Sequence, residues 1–129
     1  MGIEIYKSDM PFATISQITA ASGPGTYAFI QGQLPLDENW EVITGIPIGE
    51  QTKVCFKHIQ DALSKVGGDL SNILKLTIFL TDMSKFPEVN AARAELFGDE
   101  LPVSTAVEIS ALHGGAEIEI EGIAFIPEA

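Results

Sequence analysis

The feature that most constrains the fold is a change of hydrophobic period in the middle of the chain. In residues 48–69, IGEQTKVCFKHIQDALSKVGGD, apolar residues recur at three- and four-residue steps. This spacing predicts a helix of about four turns that ends at the Gly67-Gly68 pair. The following run, ILKLTIFLTD (73–82), is almost continuously apolar and contains β-branched residues. We therefore predict a strand that is buried on both faces.

A second helix is predicted directly after this strand. Residues 84–98, SKFPEVNAARAELFG, place Ser84 at the N-cap, Pro87 in the first turn and Gly98 at the end. The chain therefore alternates helix and strand through its centre, which is the pattern of an α/β protein.

The remaining extended segments lie on either side of this centre. ISQITAA (15–21) and TYAFIQGQL (26–34) flank SGPG, and we expect them to form a hairpin. PLDENWEVITG (35–45) is expected to be an irregular or bulged connection. VSTAVEISAL (103–112) and the opening stretch of the chain are expected to be further strands.

The order β-β-α-β-α-β-β predicts an α/β (α+β) fold with one mixed β-sheet and two helices packed on one face. Both helices are expected on the same face because β-α-β crossovers are right-handed. The other face is left bare, and the opening strand is expected to contribute to it together with Tyr27, Phe29, Ile78 and Leu80. A bare apolar face predicts a closed homo-oligomer that packs its sheets inward.

A row of carboxylates marks the last strand, AEIEIEGIAF (116–125). Alternation places Glu117, Glu119 and Glu121 on one face and Ile118 and Ile120 on the other. Alternate residues stand about 6.6 Å apart, where two charges repel by ~0.6 kcal/mol in water but ~2.5 kcal/mol at an effective dielectric near 20. The row makes chemical sense if the central glutamate enters a cleft and works there as a general acid or base.

Length and charge restrict the class of protein. A chain of 129 residues and net charge -11 fits one domain, residues 1–129, and is repelled by phosphate backbones and anionic membranes. No apolar run approaches the ~18 residues of a membrane span, and the start resembles no signal peptide. A single cysteine excludes an internal disulfide framework. We expect a cytoplasmic protein whose partners include neither nucleic acid nor membrane.

Four segments carry a further indication in their order and spacing: IQGQLPLD, GGDLSNILKLTIFLTDMSKFPEVNAARAELF, LPVSTAVEISAL and EIEIEGIAF. Together they resemble the reactive intermediate deaminase (Rid or YjgF) family over roughly residues 15–126. The long second segment is the most specific of them.

This resemblance implies a chorismate-mutase-like fold and a homotrimer with three clefts at the subunit interfaces. In the best-known members, the clefts bind small imino or amino acrylate-type acids and accelerate their hydrolysis to 2-oxo acids and ammonia. The resemblance implies no organic cofactor and no metal.

The chain departs from the family pattern where that pattern binds the substrate carboxylate. The pattern has an arginine after an FP dipeptide and a cysteine two residues later, but LPVSTAVE has Ser104 and Ala106 at these positions. Ile18 stands at the position of a family tyrosine, and Gln31 replaces a small hydroxyl residue. A serine binds a carboxylate about ten-fold or more weakly than a bidentate arginine, so we expect Ser104 and Thr105 to suit a neutral or differently charged ligand.

Other positions keep the pattern. Glu119 matches the family's water-positioning glutamate and is our candidate catalytic residue. Gly32 and Asn90 match as well, and with Gln31 they join the expected ligand-binding residues, although a side-chain bond that shapes the neighbouring loop is the favoured role of Asn90.

Several titratable residues have two interpretations. Arg93, the one arginine of the chain, either replaces the missing clamp or forms a solvated ion pair near Glu95, and the second is favoured. His113 either shuttles a proton or is incidental. His58 is expected at the surface and Cys55 in the core.

The expected function is hydrolysis of a small enamine or imine by Glu119 and a bound water. One alternative is a non-catalytic small-molecule binding or regulatory trimer. Another is an altered reaction such as tautomerisation or hydration. Ribonuclease activity, also described in the family, is disfavoured by the acidic surface.

Overall fold

The computed structural model describes residues 2–10, 15–98 and 101–129. These residues form two helices and six strands, with 3-10 turns before β4, α2 and β6. The α+β class predicted from the sequence is confirmed, but the strands form a four-stranded mixed sheet and a separate two-stranded pair rather than one sheet. The elements are β1 (Gly2–Lys7), β2 (Ser16–Ser22), β3 (Gly25–Gln33), α1 (Ile48–Ser64), β4 (Ile73–Leu80), α2 (Phe86–Phe97), β5 (Val103–Glu108) and β6 (Ile118–Pro127).

The central sheet has the strand order β3-β6-β4-β5. β6 runs antiparallel to both of its neighbours, whereas β4 and β5 are parallel. β1 and β2 form a separate antiparallel pair. The expected hairpin of residues 15–21 with 26–34 is therefore wrong, because β2 pairs with β1 and β3 pairs with β6. Local turn signals identified both strands, but tertiary pairing selected their partners.

Both helices pack on one face of the central sheet, as predicted. α1 directs a stripe at three- and four-residue spacing into the core, where Cys55 and Ile59 are fully buried. α2 adds Val89, and β6 adds Ile118 and Ile120, all of them fully buried. Neither helix is long and apolar enough to cross a membrane within the described part of the chain.

β4 alternates rather than being buried on both faces. Ile78 and Leu80 are fully buried toward the helices, whereas Thr77 and Phe79 are half-buried on the other face. The predictions of two buried faces, and of Ile78 and Leu80 on the bare face, are therefore wrong. A nearly continuous apolar run has no period of its own, so its sequence could not indicate which residues face the helices.

The face opposite the helices exposes large apolar side chains. Tyr27 is 54 % exposed and Phe29 77 % exposed, which confirms both as members of the bare face. Their cross-strand partners on β6 are Phe125 and Ile123. Tyr27 and Phe125 stack with ring centroids 4.9 Å apart. We call this surface the open face.

The start of α2 differs from the prediction. A 3-10 turn, Met83–Lys85, precedes the helix, and the capping residue of that turn is Asp82 rather than Ser84. The Asp82 carboxylate accepts hydrogen bonds from the backbone N and from Oγ of Ser84, at 3.0 and 2.6 Å. These bonds hold the pKa of Asp82 below its usual value. Pro87 in the first turn and Gly98 at the C-cap, with φ 58°, are confirmed.

Cys55 lies fully buried on the sheet-facing side of α1, which confirms it as a core residue. Burial raises the pKa of its thiol strongly, and the nearby Glu119 carboxylate adds to the rise. A thiol that stays protonated is neither a nucleophile nor a metal ligand.

We expect this raised pKa to appear in the pH dependence of stability. Above about pH 8.5 the unfolded chain loses the thiol proton while the folded chain keeps it. The folded state then binds more protons, so its free energy of unfolding falls as pH rises, by up to about 1.4 kcal/mol per pH unit. Urea titrations from pH 8 to pH 10 should show this extra decline in the wild type and not in Cys55→Ala. Equal slopes for the two proteins would contradict it.

Candidate functional site

Glu119 lies against the backbone of Gly32. β6 places its side chain on the same face as its cross-strand partner Phe79, and the residue is half-buried. A β-carbon on Gly32 would lie 2.8 Å from both Cδ and Oε2 of Glu119. Gly32 sits where the β3–β6 register shifts, between Ile30 and Gln33. The carboxylate therefore occupies space that exists because residue 32 has no side chain.

The other two carboxylates of the row have different surroundings. Glu117 is half-buried just before β6, and its Oε2 lies 3.0 Å from Nζ of Lys85. This contact raises the pKa of Lys85. Glu121 is exposed and stands opposite Thr77. Of the three, Glu119 is the one that lies against a glycine backbone at a strand irregularity.

Arg93 is buried, with 1 % of its surface exposed. Its NH1 donates a hydrogen bond to Oγ of Ser104 at 2.8 Å, and NH2 donates to the side-chain oxygen of Asn90. Arg93 is therefore buried rather than solvated or at the rim, contrary to its favoured interpretation. The helical period of α2 turns this residue inward, toward Ser104 on β5.

The guanidinium also packs on an aromatic ring. Its central carbon lies 5.8 Å from the centroid of Phe86, a cation–π distance. Burial lowers the pKa of Arg93, yet an arginine side chain remains charged in a protein. A permanent positive charge therefore lies beneath Ser104.

Ser104 and Thr105 line a cavity of about 370 Å³ beside the edge strand β5. The start of β2 forms the opposite wall, where Ser16 and Gln17 lie. The Ser16 backbone and side chain donate to the carbonyl groups of Pro102 and Leu101 and so hold the two strands together. This cavity gathers hydroxyl and amide groups.

Gln31 lines a second cavity, of about 500 Å³, between β3 and α1. Trp40 and His58 lie in its wall. Nε2 of His58 donates a hydrogen bond to the Leu36 carbonyl at 2.8 Å. His58 is half-buried, whereas it was expected at the surface. Trp40 is 74 % exposed and has a left-handed backbone, φ 63°. The bulged connection around residues 35–45 is confirmed by an isolated bridge from Leu36 to Val42.

His113 is exposed in the 3-10 turn before β6. No hydrogen bond among residues 2–10, 15–98 and 101–129 joins its side chain to Glu119. The described residues also contain no group of three His, Cys, Asp or Glu side chains placed to hold a metal ion.

The structure thus gathers the candidate residues into two groups on opposite faces of the sheet. Ser104 pairs with the core residue Leu76 and faces α2, together with Arg93 and Asn90. Glu119 and Gly32 lie on β6 and β3. The sequence missed the link from Arg93 to Ser104. The sequence signal that places Arg93 on the buried side of α2 is the helical spacing of residues 89, 92 and 93.

Comparisons with known proteins agree with this fold. The family model described as Endoribonuclease L-PSP matches residues 8–126. A RutC family protein of Pyrococcus abyssi is 36 % identical over 120 residues, 92 % of this chain and 91 % of that protein. The 2-iminobutanoate/2-iminopropanoate deaminase of Mus musculus is 33 % identical over 112 residues, 81 % of this chain and 83 % of that protein.

Solved structures give the same result. The crystal structure of RidA from an Antarctic Psychrobacter species superimposes with a TM-score of 0.74 at 30 % identity, and it covers 98 % of this chain and 99 % of that one. The family model spans nearly the whole chain, and the relatives match both in sequence and in backbone. The chain therefore belongs to the Rid (YjgF) family.

Proposed function

We propose that this protein is a homotrimer that binds a small reactive enamine or imine in clefts between subunits and hydrolyses it. The relative from Mus musculus is a deaminase of 2-iminobutanoate and 2-iminopropanoate, which are small imino acids. The open face supports the assembly, because exposed aromatic residues on a sheet are stabilised when another copy covers them.

The contact of Glu119 with Gly32 carries the proposal. Glu119 lies on the open face, next to the row of apolar residues that a second subunit would cover. Such cover would place a carboxylate in a cleft of low water content, where its interactions strengthen. Ser104 and Thr105, on the edge strand, would then belong to the wall of a cleft rather than to the outer surface.

The chemistry needs one water and two proton transfers. A water held by the Glu119 carboxylate adds to the C=N carbon and gives up a proton, and the nitrogen is protonated. The hydroxyl of the resulting carbinolamine then gives its proton to the nitrogen, and the C–N bond breaks to release ammonia and leave a C=O group. An enamine first becomes an imine when carbon gains a proton and nitrogen loses one. The carboxylate positions the water and accepts and returns its proton, so that it is unchanged at the end.

Serine at the family's arginine position favours one alternative, a trimer that binds a small molecule without turning it over. A hydroxyl binds a carboxylate less strongly than a guanidinium, so turnover could be lost while the cleft is kept. Activity measurements on Glu119 variants separate the two functions.

We expect Glu119→Gln to lower the rate of imine hydrolysis by about 100-fold, because an amide cannot accept the proton from water. The assay generates 2-aminoacrylate from serine with a dehydratase and follows the release of ammonia and pyruvate. Glu121→Gln is the matched control, since it removes the same charge two residues away from an exposed site. Failure of the wild type to accelerate hydrolysis would overturn the enzymatic proposal and leave the binding protein.

Gly32→Ala tests the position of the carboxylate rather than its presence. The added methyl would displace the flexible end of Glu119, so the chain should still fold while the rate falls by about 100-fold. Gly49→Ala is the control, because its β-carbon meets only the Glu88 carbonyl at 3.6 Å, an ordinary contact. Wild-type activity in Gly32→Ala, with the folded state verified by circular dichroism, would contradict a placed carboxylate.

The oligomer is tested on the open face. Phe29 is 77 % exposed, so Phe29→Gln should leave the fold intact and weaken only a contact between copies. Sedimentation equilibrium should give a wild-type mass near three times 13.8 kDa and a smaller mass for the variant at equal concentration. Leu96→Gln, on α2 and 39 % exposed, should stay trimeric. A wild type that remains monomeric at all concentrations would remove the trimer.

A further inference from the structure

We propose that Arg93 and Ser104 together replace the missing carboxylate clamp: the buried guanidinium acts through the Ser104 hydroxyl, which binds one carboxylate oxygen of the ligand. This inference rests on the proposed function and specifies its ligand as an anion. It makes Arg93 a positioning residue and Ser104 the residue that contacts the ligand.

The direction of the hydrogen bond is the first step. A guanidinium only donates, so in the 2.8 Å contact between NH1 and Oγ the serine oxygen is the acceptor. The single hydrogen of Ser104 is therefore available to another acceptor. Donation from a cation polarises the hydroxyl and makes it a stronger donor.

The position of the charge is the second step. Arg93 is 1 % exposed, and its guanidinium packs on Phe86 and bonds to Asn90. These contacts hold the charged NH1 group against the Ser104 hydroxyl, so the donor that polarises this hydroxyl is fixed in place.

The cavity is the third step. Ser104 and Thr105 line a space of about 370 Å³, which is large enough for a short-chain acid. Gln17 adds an amide donor. Asp9 also lines the cavity but is exposed, so water screens its repulsion of an anion. Residues of β5, the start of β2 and residues 8–10 thus line the cavity that Ser104 borders.

This arrangement differs chemically from a direct clamp. A guanidinium donates hydrogen bonds to both oxygens of a carboxylate, whereas a hydroxyl donates a single hydrogen bond. The ligand therefore remains an anion, but its orientation depends on Thr105 and on the cleft as well as on Ser104. This replaces the neutral ligand expected from the serine alone.

The test measures binding of pyruvate and of its neutral amide, pyruvamide, by isothermal titration calorimetry at millimolar ligand. The two probes have the same shape and differ in charge. We expect the wild type to prefer the acid by about ten-fold, the difference between a charge-assisted and a neutral hydrogen bond. A wild type that binds neither probe, or both equally, overturns the inference.

Variants locate the source of the preference. Ser104→Ala should abolish the ten-fold preference by weakening pyruvate about ten-fold more than pyruvamide, and Ser104→Thr should retain the preference because the hydroxyl is kept. Arg93→Gln should lose the preference as well, whereas Lys57→Gln, which removes an equal charge from an exposed ion pair, should keep it. Because Arg93→Gln can unfold a buried site, the Ser104 pair decides the matter if that variant is unstable.

The outcomes separate this inference from the proposed function. If Glu119→Gln abolishes turnover and Ser104→Ala still prefers pyruvate, the inference fails and the function stands. If the wild type shows no turnover but a preference that depends on Ser104, hydrolysis fails and the anion site stands.

Discussion

The pairing of β6 with both β3 and β4 is the constraint on which the rest of the structure depends. Successive side chains of β6 point to opposite faces of the sheet. Ile118 and Ile120 are buried under the helices, so Glu119 lies on the opposite face. A slip of one residue would bury the carboxylates and expose the isoleucines, so the register is strongly specified. The same strand positions Glu119 and holds the core together.

Two side-chain contacts then adapt this framework. Gly32 leaves room for the Glu119 carboxylate at the β3 irregularity, and α2 directs Arg93 onto Ser104. In both cases the candidate side chain, Glu119 or Ser104, depends on a residue from another element. The chemistry of Ser104 therefore depends on more than that residue, because Arg93 from a different element donates a hydrogen bond to it.

The sequence predicted most elements and several side-chain environments. The helices, the last strand and the burial of Cys55 followed from period and flanking residues, and the cap at Gly98 followed from a glycine after a helical stripe. The predictions failed for the pairing of strands that are distant from each other in sequence and for the orientation of β4. The β2 and β3 strands lie beside each other in sequence but pair elsewhere, and the apolar run of β4 carried no information about its two faces.

The sequence by itself determined the fold class, the family and the acidic row, because these depend on local periodicity and on motifs contiguous in the chain. Only the tertiary structure decided that Arg93 is buried on Ser104 and that Glu119 lies on Gly32. Helical period can show that a residue turns inward, but not which side chain it meets. That depends on how β5 and α2 are placed by the pairing of distant strands, which no local pattern encodes.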